Sequence, residues 1–217
     1  MRALIKTALL ITSMITLVAG SGAASAQPAL YVDGIHYETI AKPVRTADPN
    51  KVEVTEVFWY GCPHCYAFEP LIESWSAGLA DDVAFVRSPG MWNAMMETHA
   101  QIYYVATALG VFDKIHAVTF NEFHQKRNYL QTQEAVRDMF VAQGVDPAEF
   151  DKTWTSFSVS SDVKRAATRM RDYGITGVPS LIVNGKYRVI VGDSNGIRTQ
   201  ADMLKVADFL IEKERNG

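Results

Sequence analysis

Two cysteines are all that the 217-residue chain contains, too few to staple a small scaffold with disulfides. Long apolar runs are equally scarce. Beyond the first 30 residues no window reads as 18 or more unbroken apolar residues, which excludes a polytopic membrane protein. Neither sign of charge dominates: 21 basic against 24 acidic residues leave a formal net charge of −3. No general attraction to a nucleic-acid backbone is expected from that balance. There is no internal repeat and no low-complexity tract. Against these absences stands a 48% apolar composition, enough for a folded core and too much for a disordered chain.

The first residues read as an address. Arg2 and Lys6 form a positive n-region, Ala8 to Ala19 is largely apolar, and Ala24-Ser25-Ala26 is a small-residue cleavage site. Residues 1–26 are therefore expected to be a cleaved secretory signal. An uncleaved anchor helix is the alternative, but the apolar run is short and carries Thr12, Ser13 and Thr16. Export implies an oxidising compartment in which a disulfide persists.

The rest alternates and then changes character. Val52 to Tyr60 is β-branched and aromatic, as a buried central strand should be. Gly61 breaks it, and Cys62-Pro63-His64-Cys65 opens a helix with Pro at the first position, where a missing N–H costs nothing. That helix is expected to reach about Leu79 and to kink at Pro70. Val83 to Arg87 reads as a second strand. Helical spacing follows in Ile102, Val105, Ala106 and Leu109, stopped by Gly110, and in Phe112, Ile115, Thr119, Phe120 and Phe123. Thr132 reads as the N-cap of a helix ending near Gly144, and Asp146-Pro147-Ala148-Glu149 has a capping-box form. A further helix runs from about Ser161 to Gly174. Ser180 to Val183 and Lys186 to Val191 flank Asn184-Gly185, a two-residue hairpin signal. Thr199 to about Glu214 is a last helix. The order predicts an α/β domain, residues 27–91 and 172–217, carrying an inserted all-helical domain at 92–171.

Both cysteines lie in the first turn of one helix, close enough to bond. Cys62 falls at the N-cap, where unpaired N–H groups and the helix dipole favour an anion, and His64 supplies a nearby positive charge or donor. These features lower the thiol pKa. Thiolate stabilisation exists only in the reduced form, so it favours reduction of the protein's own disulfide and makes the oxidised protein an oxidant. A structural disulfide would gain little from closing a four-residue loop. A zinc site would need two more ligands, and His36, His99, His116 and His124 are scattered; no metal and no bound cofactor are expected.

The segment Phe58-Trp59-Tyr60-Gly61-Cys62-Pro63-His64-Cys65-Tyr66-Ala67-Phe68-Glu69 resembles the active-site segment of the DsbA family of periplasmic dithiol oxidases. Thr176-Gly177-Val178-Pro179 resembles its cis-proline loop, and Tyr31-Val32-Asp33-Gly34 with Tyr37 its N-terminal segment. The resemblance covers nearly the whole chain after residue 26, and implies a thioredoxin fold with a helical insert. It further implies that Cys62 is the exposed nucleophile, that Cys65 is its deeper partner, and that Val178 pairs its backbone with an extended substrate beside a cis Pro179. Without the C-x-x-C motif, Gly177-Val178-Pro179 would read as an ordinary trans turn. The implied activity is dithiol oxidation, introducing disulfides into reduced or unfolded exported proteins. Reoxidation by a DsbB-like membrane quinone reductase, a periplasmic location and a monomeric state are implied too. A disulfide isomerase or reductase, and a redox-independent holdase-type binding module, are the alternatives.

Three charges and a methionine cluster complete the candidate site. Glu56 is odd in a buried strand and needs a partner; Arg87 on the neighbouring strand is the candidate. Glu56, Glu69 and Arg87 match charged positions near the active site in family members, and with Pro63 and His64 they are expected to tune the redox pair. The bland reading of Glu56 and Arg87 is a structural ion pair. Met91, Trp92, Met95 and Met96 suit either a surface that binds varied chains or helix-core packing.

Overall fold

Among the described residues of the computed structural model, 30–217, five strands form one mixed sheet. They are β1 (Tyr37–Thr39), β2 (Val52–Phe58), β3 (Val83–Pro89), β4 (Ser180–Val183) and β5 (Tyr187–Val189). The expected signal, 1–26, lies outside the described residues. Strand order is β1-β5-β4-β2-β3. β2 and β3 run parallel, and every other pairing is antiparallel. Residues 31–217 form one compact unit.

The central strands are buried on both faces, and the period-2 alternation of strand side chains decides what each residue meets. Val54, Leu181 and Val183 pack with Phe68 and Ile72 of α1 (Pro63–Ala77) and with Val206 and Leu210 of α7 (Gln200–Asn216). Val57 and Ile182, one step along, pack with Met170, Tyr173 and Ile175 on the opposite face. Truncating one such buried Leu or Ile to Ala costs about 2–5 kcal/mol.

Between β3 and β4 every regular element is a helix: α2 (Ala94–Ala108), α3 (Phe112–His124), α4 (Gln133–Ala142), α5 (Pro147–Trp154) and α6 (Phe157–Asp172). Ile102, Val105, Ile115, Phe120, Phe140, Phe150 and Val159 make the core of this insert. Short polar side chains cap its helices: Asn93 accepts from the Met96 N–H, Thr132 from Ala135 and Asp146 from Ala148 and Glu149. The thioredoxin fold with a helical insert is therefore the observed architecture.

Several boundaries differ from the sequence reading. α6 begins at Phe157, not near Ser161, with Ser156 accepting the Val159 N–H. Phe157 is 86% exposed, so the first turn breaks the apolar period that marks a helix. β1 is only three residues long, too short to show alternation. β5 stops at Val189 rather than Val191, although the Ile190 N–H still reaches the His36 carbonyl at 2.9 Å. α1 continues through Pro70, whose ring is exposed. The expected hairpin turn is present: Asn184 and Gly185 have φ of 51° and 62°, and the Lys186 N–H donates to Val183 at 3.0 Å. A side chain on Gly185 would also run into the Val44 carbonyl.

Candidate active site

β2 ends at Phe58, and the next four residues turn the chain into α1. The Cys62 N–H donates back to the Trp59 carbonyl at 3.0 Å, and the Tyr66 N–H closes the first helical bond to the Cys62 carbonyl at 3.0 Å. Cys62 is the N-cap of α1, with Pro63 and His64 exposed on its first turn. Its sulfur accepts the Cys65 N–H at 3.3 Å and, as a thiol, donates to the Val178 carbonyl at 3.4 Å. Both cysteines are free thiols.

The two sulfurs sit in opposite electrostatic situations. Cys62 is held at about 6, against an ordinary value near 9. The hydrogen bond from the Cys65 side chain is the largest cause, followed by the backbone N–H groups of Cys65 and His64 and the His64 charge. Burial of Cys62 works against these. Burial pushes Cys65 far above the thiol range, and Cys62 and the Glu56 charge add to the rise. The family resemblance implied an exposed nucleophile. Instead Cys62 is only 6% exposed, against 0% for Cys65, because the loop carrying Val178 covers it. The Val178–Pro179 peptide bond is cis, and both residues line a cleft of about 500 Å³ that also contains His64 and the start of α7.

Behind the sulfurs lies a charge cluster. Glu56 and Arg87 are register partners on β2 and β3, and Arg87 Nε lies 3.2 Å from Glu56 Oε2. Arg87 Nη2 also reaches Glu69 at 3.3 Å and Glu73 at 2.6 Å on α1. One guanidinium thus faces three carboxylates. Burial, then the Glu69 charge, push Glu56 up to about 8 although Arg87 opposes them. Glu56 therefore carries its proton for most of the time at neutral pH.

Three histidines, which looked scattered in sequence, converge on the two residues before Gly61. His99 Nδ1 accepts the Trp59 indole N–H at 3.0 Å, and its Nε2–H therefore donates to the Tyr129 carbonyl at 3.0 Å. His116 Nδ1 lies 2.9 Å from the Tyr60 hydroxyl and its Nε2 3.2 Å from Glu69. His124 Nε2 donates to the Tyr60 carbonyl at 2.8 Å, with its ring stacked on Tyr66. Burial lowers His99 to about 4 and His116 below its ordinary value, so both are neutral hydrogen-bonding groups at neutral pH. Glu73, His116 and Tyr60 were not among the expected site residues. Their partners lie 14 to 56 residues away in sequence, and no local spacing marks them.

The methionine segment divides between its two readings. Met91 and Met96 are buried with Ala100 and Ala166. Trp92 is exposed, and Met95 lines a second cavity of about 410 Å³ with Trp59, Gly61 and Pro63.

A family model described as a DSBA-like thioredoxin domain matches residues 53–204. A thiol:disulfide interchange protein DsbA from Pseudomonas aeruginosa is 40% identical over 207 residues, covering 95% of this chain and 96% of that protein. The protein of the same name from Azotobacter vinelandii is 40% identical over 218 residues and 100% of each chain. Among solved structures, Pseudomonas aeruginosa DsbA has a TM-score of 0.80 at 40% identity, covering 86% of this chain and 95% of that one. The DsbA of Xylella fastidiosa has a TM-score of 0.79 at 28% identity, covering 87% and 100%.

Proposed function

This chain belongs to the DsbA family of thiol:disulfide oxidoreductases, and from that premise we propose how its residues carry out the exchange and in which direction. The enzyme acts on substrate proteins by thiol–disulfide exchange. In its oxidised form a substrate thiolate attacks the Cys62 sulfur, the Cys62–Cys65 bond breaks, and the electron pair leaves on Cys65. A second substrate thiolate then attacks the substrate sulfur of the mixed disulfide, and Cys62 leaves as a thiolate. The substrate loses two electrons and gains a disulfide; the enzyme holds them as a dithiol.

The asymmetry of the two sulfurs is the observation that carries this reading. A thiol held at about 6 is a good leaving group and a poor holder of a mixed disulfide. Cys65, pushed far up, binds a proton as soon as it is released. Glu56, protonated at neutral pH and near enough that its ionised form raises Cys65, is suited to supply that proton. Burial and the Glu69 charge hold Glu56 in that state against the pull of Arg87, which fixes the carboxyl in place, and Pro63 and His64 shape the turn that presents Cys62. Val178, whose carbonyl faces Cys62, offers the backbone edge to an extended client beside Pro179.

The setting follows the same logic. The chain works in the periplasm as a monomer after removal of residues 1–26, with 27–91 and 172–217 as the thioredoxin-like domain and 92–171 as the insert. A DsbB-like membrane quinone reductase removes the electrons from the dithiol. Equilibration of the purified protein with glutathione buffers tests the direction: a potential well above that of glutathione supports an oxidase, and one near cytosolic thioredoxin overturns it. A Cys65→Ala variant preloaded as a Cys62–glutathione disulfide should exchange glutathione for a reduced client thiol and hold the client as a mixed disulfide on Cys62, whereas a Cys62→Ala variant treated in the same way should hold none there.

A further inference from the structure

We propose that the cleft beyond Val178 and Pro179 selects client segments bearing a carboxylate near the reacting cysteine, with Arg198 as the specificity-determining residue. The inference rests on the reading of Cys62 as nucleophile and Val178–Pro179 as the client edge. The cleft is walled by His64 on α1, by the Thr176–Ser180 loop, by Arg188–Val191 and by the start of α7. Neither Asp nor Glu lines it, although acids outnumber bases in the whole chain.

The two arginines of the cleft are not equivalent. Arg188 is committed inside the fold, donating to the Gly174 carbonyl and to Glu38. Arg198 is 66% exposed, and its one ionic partner among the described residues is Asp193, 3.7 Å away and 96% exposed. Its Nη2 also touches the Asp193 carbonyl at 3.3 Å. So open a pair contributes little, and a client carboxylate can take the place of Asp193. Asp202, the other nearby acid, is occupied by the Thr199 N–H and hydroxyl, the Arg198 N–H and Lys205. Gln200 Nε2 donates to the His64 carbonyl at 3.0 Å, tying this wall to the first turn of the active-site helix. The N-terminal end of α7 adds a partial positive charge to the same wall.

The test mixes oxidised protein with single-cysteine peptides that differ in one residue, Glu or Lys. That residue is stepped from four positions before the cysteine to four after it, and consumption of the Cys62–Cys65 disulfide is timed. Each rate is divided by that of the same peptide with a small soluble disulfide such as oxidised glutathione, so that the intrinsic reactivity of the peptide thiol cancels within each protein. Wild type should favour Glu over Lys about three- to tenfold at one or more positions at low salt, and the ratio should shrink toward one at about 1 M salt. Arg198→Lys should keep the preference, Arg198→Ala should bring it near one, and Arg198→Glu should invert it. Equal rates for wild type at every position, or a preference that survives Arg198→Glu, overturns the inference alone. Peptides that fail to react at all, or that are recovered as mixed disulfides on Cys65 instead of Cys62, overturn the premise and the inference together.

Discussion

Removing the Cys65 side chain should weaken the very anion that makes Cys62 reactive. The Cys65 thiol is the largest single cause of the low Cys62 value, ahead of the backbone donors and the His64 charge. A hydrogen bond to a charged group contributes about 1.5–3 kcal/mol, and one pKa unit corresponds to about 1.4 kcal/mol. Cys65→Ala should therefore raise the Cys62 titration by about one to two pH units, whereas Cys65→Ser, which keeps a donor, should leave it near that of wild type. Thiolate absorbance in the far ultraviolet, followed against pH, reads the difference, and the pH dependence of alkylation checks it. An alanine variant that titrates together with wild type would refute the reasoning and leave the helix N-terminus as the main source of the effect. The redox consequence has a definite sign. The thiolate exists only in the reduced protein, and its stabilisation is complete above the ordinary value of 9 and lost as pH falls through about 6. The full shift is worth about 4 kcal/mol. At pH 7 only about 1.4 kcal/mol of it is expressed, equivalent to about 30 mV on a two-electron couple.

Other expectations concern the groups behind the sulfurs and one turn. Glu56 is raised from 4.5 to about 8 in the fold, so its contribution to stability is present below 4.5 and disappears as pH rises through 8. Glu56→Gln should remove that slope, up to about 1.4 kcal/mol per pH unit within the window; urea denaturation curves for the two proteins that run parallel from pH 5 to 8 would contradict it. His116→Phe should cost about 1–3 kcal/mol by leaving the buried Tyr60 hydroxyl without its partner, and a loss under about 0.5 kcal/mol in urea denaturation would show that the bond carries no weight. Gly185→Ala meets both a φ of 62° and the Val44 carbonyl and should lose more than about 1 kcal/mol. An unchanged midpoint of thermal unfolding would count against that turn geometry.

What could be read before folding was whatever is local in the chain. The strand–turn–helix around Cys62, the hairpin at Asn184-Gly185 and the amphipathic period of the insert all act over a few residues, so residue order exposes them. The pairing of Glu56 with Arg87 was legible for a different reason: a carboxylate in an apolar strand has few ways to persist, and the adjacent strand held one cation. The start of α6 and the three-residue β1 were hidden because neither shows a full period. The histidines were hidden more deeply. His99, His116 and His124 stand 40, 56 and 64 residues from the Trp59 and Tyr60 groups they bond, and nothing in their spacing distinguishes them from histidines that fill a core. Yet all three belong to α2 and α3 and end on the two residues whose carbonyls and side chains set the entry into Cys62. The insert therefore contributes polar restraints on the turn that carries Cys62 of the redox pair, as well as apolar surface over it. A thioredoxin fold without the insert would have to hold Trp59 and Tyr60 by other means, since their buried polar groups would lose their partners.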